Sequence, residues 1–367
     1  MRIPLVDLQA QHVPLLPALE AAAARVIASG RYVQGEEVAA FEREMALACG
    51  VPHAVGVSSG TDALICLLLA AGVKAGHEVL TTTYSFFATA EAIVRVGARP
   101  VFADVDPTTF NVDPTDGVAR LGPRTGAVLV VHLFGRPARL GGLVPACAAA
   151  GIPIIEDAAQ AVGARLPDGR PVGAIGIGAG LSFFPAKNLG GFGDGGMVLT
   201  ADAAVADRVR RLRNHGADRK HHHPEAGGNF RLDELQAALL RVKLPYLAGW
   251  TASRRRVAAA YRAQLAHLPL GLPTDDPGCV WHQFVIRVPA GRRDALARHL
   301  AERGIETAIH YPIPIHLQPS LAWLGHRAGD FPEAERAAAE SLALPIFPEL
   351  TDEQVAQVAS ALADFFR

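Results

Sequence analysis

The sequence predicts an α/β protein. Residues 1–250 would form a large domain on a mostly parallel seven-stranded sheet flanked by helices, and residues 251–367 a smaller α/β domain. Three observations carry this reading. From about residue 36 to 245, helix-period patterns alternate with short β-rich runs bounded by Gly and Pro, as parallel βα units require. The 367 residues are 50% hydrophobic and 19% charged, which suffices for buried cores and excludes disorder. After Pro245 the pattern changes to a long Arg- and Ala-rich helix, Leu247 to Ala266, leading out of the repeating units.

The first predicted strand, His53 to Val57, runs into Ser58-Ser59-Gly60 and a helix from Asp62 to Ala71. Glu78 to Thr82 and Arg99 to Ala103 follow, separated by a helix at Thr89 to Gly97 whose Ala92, Ile93 and Val96 share a face. Ala127 to His132 and Ile152 to Glu156 are the buried-strand type, continuous apolar runs, and Gly180 to Phe183 and Gly196 to Thr200 complete the seven. A helix at Leu232 to Leu244 closes the large domain. The small domain should hold a strand at Trp281 to Val288, a helix at Arg292 to Arg303 and a last helix at Asp352 to Phe366. The Pro-rich run Tyr311 to Pro319 reads as an ordered loop, and no internal repeat is present.

Composition narrows the function. With 35 basic and 36 acidic residues the net charge is -1, so the chain lacks the electrostatic term behind non-specific nucleic-acid or membrane-surface binding. Its expected partners are small molecules and other subunits. Cys49, Cys66, Cys147 and Cys279 are scattered, with no CxxC pair, as in a reducing compartment, and the cytoplasm is the expected location. MRIPLVDLQAQH has neither a basic leader nor a long apolar stretch, and Ala63 to Val73 is too short to span a bilayer. Only four lysines exist: Lys74, Lys187, Lys220 and Lys243.

Three segments carry chemistry. Ser58-Ser59-Gly60-Thr61-Asp62 follows a strand and opens a helix, so free N–H groups and a positive helix end make a phosphate site; an ordinary Ser N-cap would look the same. Asp157 sits at a strand's carboxyl end, where a carboxylate can hold a proton on a ring nitrogen, or merely cap a turn. Lys187, in Ser182-Phe183-Phe184-Pro185-Ala186-Lys187, stands in an apolar setting that eases deprotonation and Schiff-base chemistry, though a lone loop lysine is usually a solvated charge. Gly191 to Gly196 satisfies GxGxxG but runs into a strand rather than a helix, which argues against a dinucleotide site. His221-His222-His223 has no partner at ligand spacing and reads as a solvated or substrate-facing loop, so no metal site is expected.

A phosphate cradle, a ring-nitrogen carboxylate and a lysine in one α/β domain are the parts that pyridoxal 5′-phosphate (PLP) needs. The strings PLVDLQAQ, SSGTDAL, EDAAQAVGA, SFFPAKNLGGFGDGG and NFRLDELQAALLRVKL resemble the DegT/StrS-type nucleotide-sugar aminotransferases over nearly the whole chain. The resemblance implies PLP-dependent transferase fold type I, the aspartate-aminotransferase class. It implies that Lys187 forms the Schiff base and shuttles the proton, that Asp157 pairs with the pyridine nitrogen, and that Gln160 lies near the phenolic oxygen. The N–H groups of Gly60, Thr61 and Asp62 and the Ser182 hydroxyl would hold the phosphate, and Phe86 would stack on the ring. Asn229 would reach the phosphate from the neighbouring subunit of a homodimer with shared active sites.

Arg219 to His223 and His310 to Pro319 resemble the branch that aminates C3 of dTDP-linked 3-keto-6-deoxyhexoses, with L-glutamate as donor; Lys220, His310, Tyr311 and His316 would bind this substrate. The alternatives are a 4-keto-6-deoxyhexose or a UDP-linked 3-keto sugar. Phe184 stands where many relatives carry tyrosine, and Phe230 where this branch often has serine or tyrosine. Lys187, rather than a histidine, favours transamination over dehydration. A nicotinamide oxidoreductase would need the strand-to-helix glycine motif that is missing here. A PLP-binding regulator would need a basic helix-turn-helix that the chain has no length to hold.

Overall fold

Apolar runs in the βα units become strands because helices cover both of their faces. The computed structural model describes residues 2–289 and 291–367. One sheet contains β1 (His53–Val57), β2 (Glu78–Thr82), β3 (Arg99–Ala103), β4 (Thr125–Val131), β5 (Ile154–Asp157), β6 (Gly178–Ser182) and β7 (Gly196–Thr200). Their order is β1-β7-β6-β5-β4-β2-β3. Neighbours pair in parallel except β7, which runs antiparallel to β1 and β6.

Alternation along each strand sorts side chains into two layers. Val79, Leu129 and Ile155 pack with Leu64, Leu67 and Val209 on one face, whereas Leu80, Val128, Val130 and Ile154 pack with Leu143 and Cys147 on the other. The glycine-rich turn at 191–196 runs into β7, a strand, as expected. Predicted helices at 62–71, 89–97 and 232–244 are found at Gly60–Ala70, Ala88–Arg95 and Glu234–Lys243.

A second core gathers around β8 (Phe284–Arg287) and β9 (Ser341–Leu344), an antiparallel pair. The helices Leu247–Leu265, Arg293–Glu302 and Asp352–Phe366 cover it, and Ile3 from the amino-terminal segment joins it. The predicted strand 281–288 is shorter than expected because its first residues pair elsewhere. Val280 N–H donates to Gly135 O (3.0 Å) and Gln283 N–H to Phe134 O (3.4 Å), tying this segment to the loop after β4. A further cluster joins Tyr84 and Phe102 to Val285, Ile315, Phe331 and Ala343, so the 310–343 region packs directly on the carboxyl ends of β2 and β3.

Candidate active site

The carboxyl ends of β5 and β6 and the start of helix Gly60–Ala70 open on a cavity of about 490 Å³. Ligands of open α/β sheets bind at this edge. Lys187, Asp157, Gln160, Ser182, Gly60, Thr61, Phe86, His310 and Tyr311, all predicted from the sequence, line it together.

Lys187 rides on a loop closed on itself. Gly191 N–H donates to Phe183 O (2.7 Å) and Lys187 N–H to Phe184 O (2.8 Å). Its side chain enters the cavity, where removal from water disfavours the ammonium and lowers its pKa from 10.5 to about 8; the Asp157 charge pulls the other way.

Asp157 ends β5 and is buried. Thr89 Oγ1 donates to its Oδ2 (2.8 Å) and Ala159 N–H to its Oδ1 (3.2 Å). With the Thr89 proton so used, Ser85 Oγ donates to Thr89 Oγ1 at 2.9 Å. Burial pushes the Asp157 carboxyl above the usual carboxylate range, against these hydrogen bonds and the charge of Lys187. A cationic ring nitrogen at its side would favour the ionised form.

Gln160 is held at both ends. Its Oε1 accepts from Phe134 N–H (2.6 Å) and its Nε2 donates to Tyr311 Oη (3.1 Å), which fixes which way the amide points. At the helix start, Ser59 caps by accepting from Asp62 N–H (3.1 Å). The Asp62 carboxylate in turn accepts from the hydroxyls of Ser58 (2.6 Å) and Ser59 (2.9 Å). The amides of Gly60 and Thr61 donate to no acceptor among the described residues and face the cavity. A Cβ on Gly60 would lie 2.9 Å from Ser182 Cβ, so only glycine lets the helix start come this close to the end of β6.

Two predictions are revised. The Asp62 N–H is already taken by the Ser59 cap, leaving the two preceding amides as free donors. His316 lies outside the cavity, since its side chain is fully buried against Phe331 (4.7 Å between rings) with Nε2 on Glu335 Oε1 (3.1 Å). Lys220, on the exposed loop 214–223, and Asn229, exposed and bridged to Asn214, lie outside this chain's own cavity, which leaves open the predicted reach of Asn229 to a neighbouring subunit.

Sequence reasoning missed His282, Thr89 and Gln283. His282 is buried, lines the cavity and pairs its Nδ1 with Asn188 Oδ1 (3.1 Å). Asn188 Nδ2 donates to Val280 O (3.0 Å), so its oxygen faces the ring and His282 Nδ1 carries the proton. Burial and nearby Lys187 hold His282 well below its ordinary pKa and lower His310 to about 4, so both rings stay neutral at pH 7. No signal in the chain marks His282, whereas Thr89 lies one helical turn beyond Phe86 and was open to notice.

These residues fit a phosphorylated pyridine aldehyde. Unpartnered helix amides and the Ser182 hydroxyl suit the phosphate, buried Asp157 suits a ring nitrogen, exposed Phe86 offers a ring face, and Lys187 is an amine easily freed of its proton. Such a site on this fold defines a PLP-dependent aminotransferase. The DegT/DnrJ/EryC1/StrS aminotransferase family model matches residues 17–363, and the chain belongs to that family.

Similar sequences include several whose names define a sugar substrate, two of them at 44% identity. The dTDP-3-amino-3,4,6-trideoxy-alpha-D-glucose transaminase of Streptomyces venezuelae is 44% identical over 367 residues, covering 99% of this chain and 96% of the relative. The UDP-N-acetyl-3-dehydro-alpha-D-glucosamine 3-aminotransferase of Acidithiobacillus ferrooxidans is 44% identical, covering 98% and 97%. A Geobacillus stearothermophilus protein named as a pleiotropic regulatory protein is also 44% identical, over 100% and 99%. The S. venezuelae DesV structure, in complex with a ketimine intermediate, superposes with a TM-score of 0.96 at 44% identity over 100% of this chain and 99% of DesV. Bacillus subtilis NtdA with bound PMP gives 0.91 at 30% identity, covering 96% and 82%. The protein is a PLP-dependent sugar aminotransferase. Among the described residues no helix is long and apolar enough to cross a membrane.

Proposed function

We propose that the protein moves an amino group from L-glutamate to C3 of a dTDP-linked 3-keto-6-deoxyhexose, as a homodimer whose subunits complete each other's sites. The convergence of Lys187, Asp157, Gln160 and the free amides of Gly60 and Thr61 on one cavity carries the chemistry. Position C3 is supported by the names of these two relatives, which place the nitrogen there. The Acidithiobacillus relative favours a second reading, the same reaction on a UDP-linked 3-keto sugar. Four free, buried cysteines support a cytoplasmic setting.

Bound PLP supplies a carbonyl that condenses with amines and a ring that accepts the electron pair of the reacting carbon. The chain does the rest. Lowering Lys187 to about 8 raises the free-amine fraction at pH 7 from about 0.03% to about 9%. Its Nζ is then the base that takes the proton from the donor's α-carbon and the acid that returns one at C3 of the sugar. Asp157 holds the proton on the ring nitrogen, and Thr89 and Ala159 hold Asp157. The neutral imidazoles of His282 and His310 offer hydrogen bonds without adding positive charge beside Lys187.

Among the described lining residues Lys187 is the only lysine or arginine, so a nucleotide diphosphate needs cations from outside. Exposed Arg219 and Lys220, with Asn229 nearby, would supply them to the partner's cavity. Assays with paired dTDP- and UDP-linked 3-keto and 4-keto sugars test the substrate; faster turnover of a 4-keto sugar would overturn the C3 assignment. Mixing Lys187→Ala with Asn229→Ala chains tests the shared site, and activity that never recovers would sink it.

A further inference from the structure

Lys243 is fully buried, yet it forms no salt bridge among the described residues. Burying a cation with no carboxylate in salt-bridge contact is costly, even with the charge of Glu349 acting from farther off, and an apolar residue of similar size would usually serve stability better. Its ammonium is spent on two contacts. One proton goes to the carbonyl of Gly190 (2.5 Å) and another to His12 Nε2 (3.0 Å), while the rings of Phe192 and Trp250 flank it at 5.4 and 5.9 Å. His12, lowered to about 4 by burial and by Lys243, is neutral and so accepts; its ring packs 4.6 Å from Phe192.

Gly190 lies three residues beyond Lys187, at the foot of the loop that Gly191 N–H closes on Phe183 O. That foot is folded tightly, since a Cβ at Gly190 would fall 2.0 Å from Pro185 O. The same helix grips the loop a second time, as Gln236 Oε1 accepts from Phe192 N–H (2.9 Å). Gln236 and Lys243 are two turns apart and share one face of helix Glu234–Lys243.

We propose that Lys243 is a positioning residue for Lys187, with Gln236 as its second anchor: together they clamp residues 190–192 and keep the lysine loop closed over the cavity. Neither side chain lines the cavity, so both act through the loop backbone. Releasing the clamp should loosen the loop and let water reach Lys187.

The test uses Lys243→Met and Gln236→Leu beside wild type. In cofactor-free protein, amide hydrogen exchange over residues 183–193 should quicken at least about 10-fold in each variant while distant helices stay protected. On adding PLP, the pH midpoint for its capture by Lys187 should rise from about 8 toward the ordinary lysine value by about 0.5 pH or more. A variant with the wild-type melting temperature and unchanged exchange, or with an unmoved midpoint, would overturn the proposal, which rests on the PLP reading only for the second measurement. Should wild type fail to capture PLP, that reading falls and exchange alone decides the clamp. If Lys243→Met does not fold, Gln236→Leu, which keeps the buried ammonium, carries both measurements.

Discussion

Capture of PLP by Lys187 should follow the free-amine fraction of that one side chain, and the structure sets where this saturates. Burial disfavours the ammonium, so the pKa falls from 10.5 to about 8. With that value the free amine rises about 50-fold between pH 6 and 8 and then only about twofold between pH 8 and 10. An ordinary lysine at 10.5 would still gain about 75-fold over the second interval. The assay is stopped-flow absorbance on mixing PLP with cofactor-free protein from pH 6 to 10, with Lys187→Ala as the blank. The Asp157 charge favours the ammonium, so Asp157→Asn should move the midpoint below that of wild type. A rate that climbs more than about tenfold from pH 8 to 10, or a midpoint that rises in Asp157→Asn, would refute the assigned burial and charge balance.

Three further outcomes are expected. Asp157→Asn exchanges a buried carboxylate for a neutral amide and should slow the glutamate half-reaction about 100-fold, equivalent to ~3 kcal/mol, read in single-turnover spectra. Tyr84→Phe removes a hydroxyl that meets His310 O (2.5 Å), Ser341 Oγ (2.8 Å) and Tyr311 N–H (2.9 Å); urea titration should show a loss of about 2–3 kcal/mol. His316→Ala should cost about 2–4 kcal/mol of stability through lost packing, with KM for the nucleotide sugar unchanged. A raised KM in a folded His316→Ala protein would return that residue to the substrate site.

Much of the reactive centre was legible because each part sits where chain direction changes. Asp157 ends a four-residue run buried throughout, and Lys187 follows β6 after a short turn, so strand ends located by apolar runs also located the chemistry. His310 and Tyr311 were found through resemblance, but His316, only five residues beyond Tyr311, was not separable from them. A short 3-10 turn at Ile315–Leu317 rotates its ring away from the cavity and onto Phe331 and Glu335. The strand β9 escaped notice because Ser341–Leu344 is a brief apolar run joined directly to helix Pro332–Glu340, and only pairing with β8 makes it extended.

The sequence by itself determined the seven-stranded sheet, to within a few residues at each strand, and the lysine, acid and helix-start amides of the site. Apolar periodicity and turn residues act over distances short enough for one segment to express. Tertiary structure alone decided what holds and tunes those groups. Thr89 on Asp157, Tyr311 on Gln160 and Asn188 on His282 join residues 68, 151 and 94 positions apart. The lowered pKa of Lys187 likewise has no local cause, because it comes from water being displaced by all the elements that meet at the cavity.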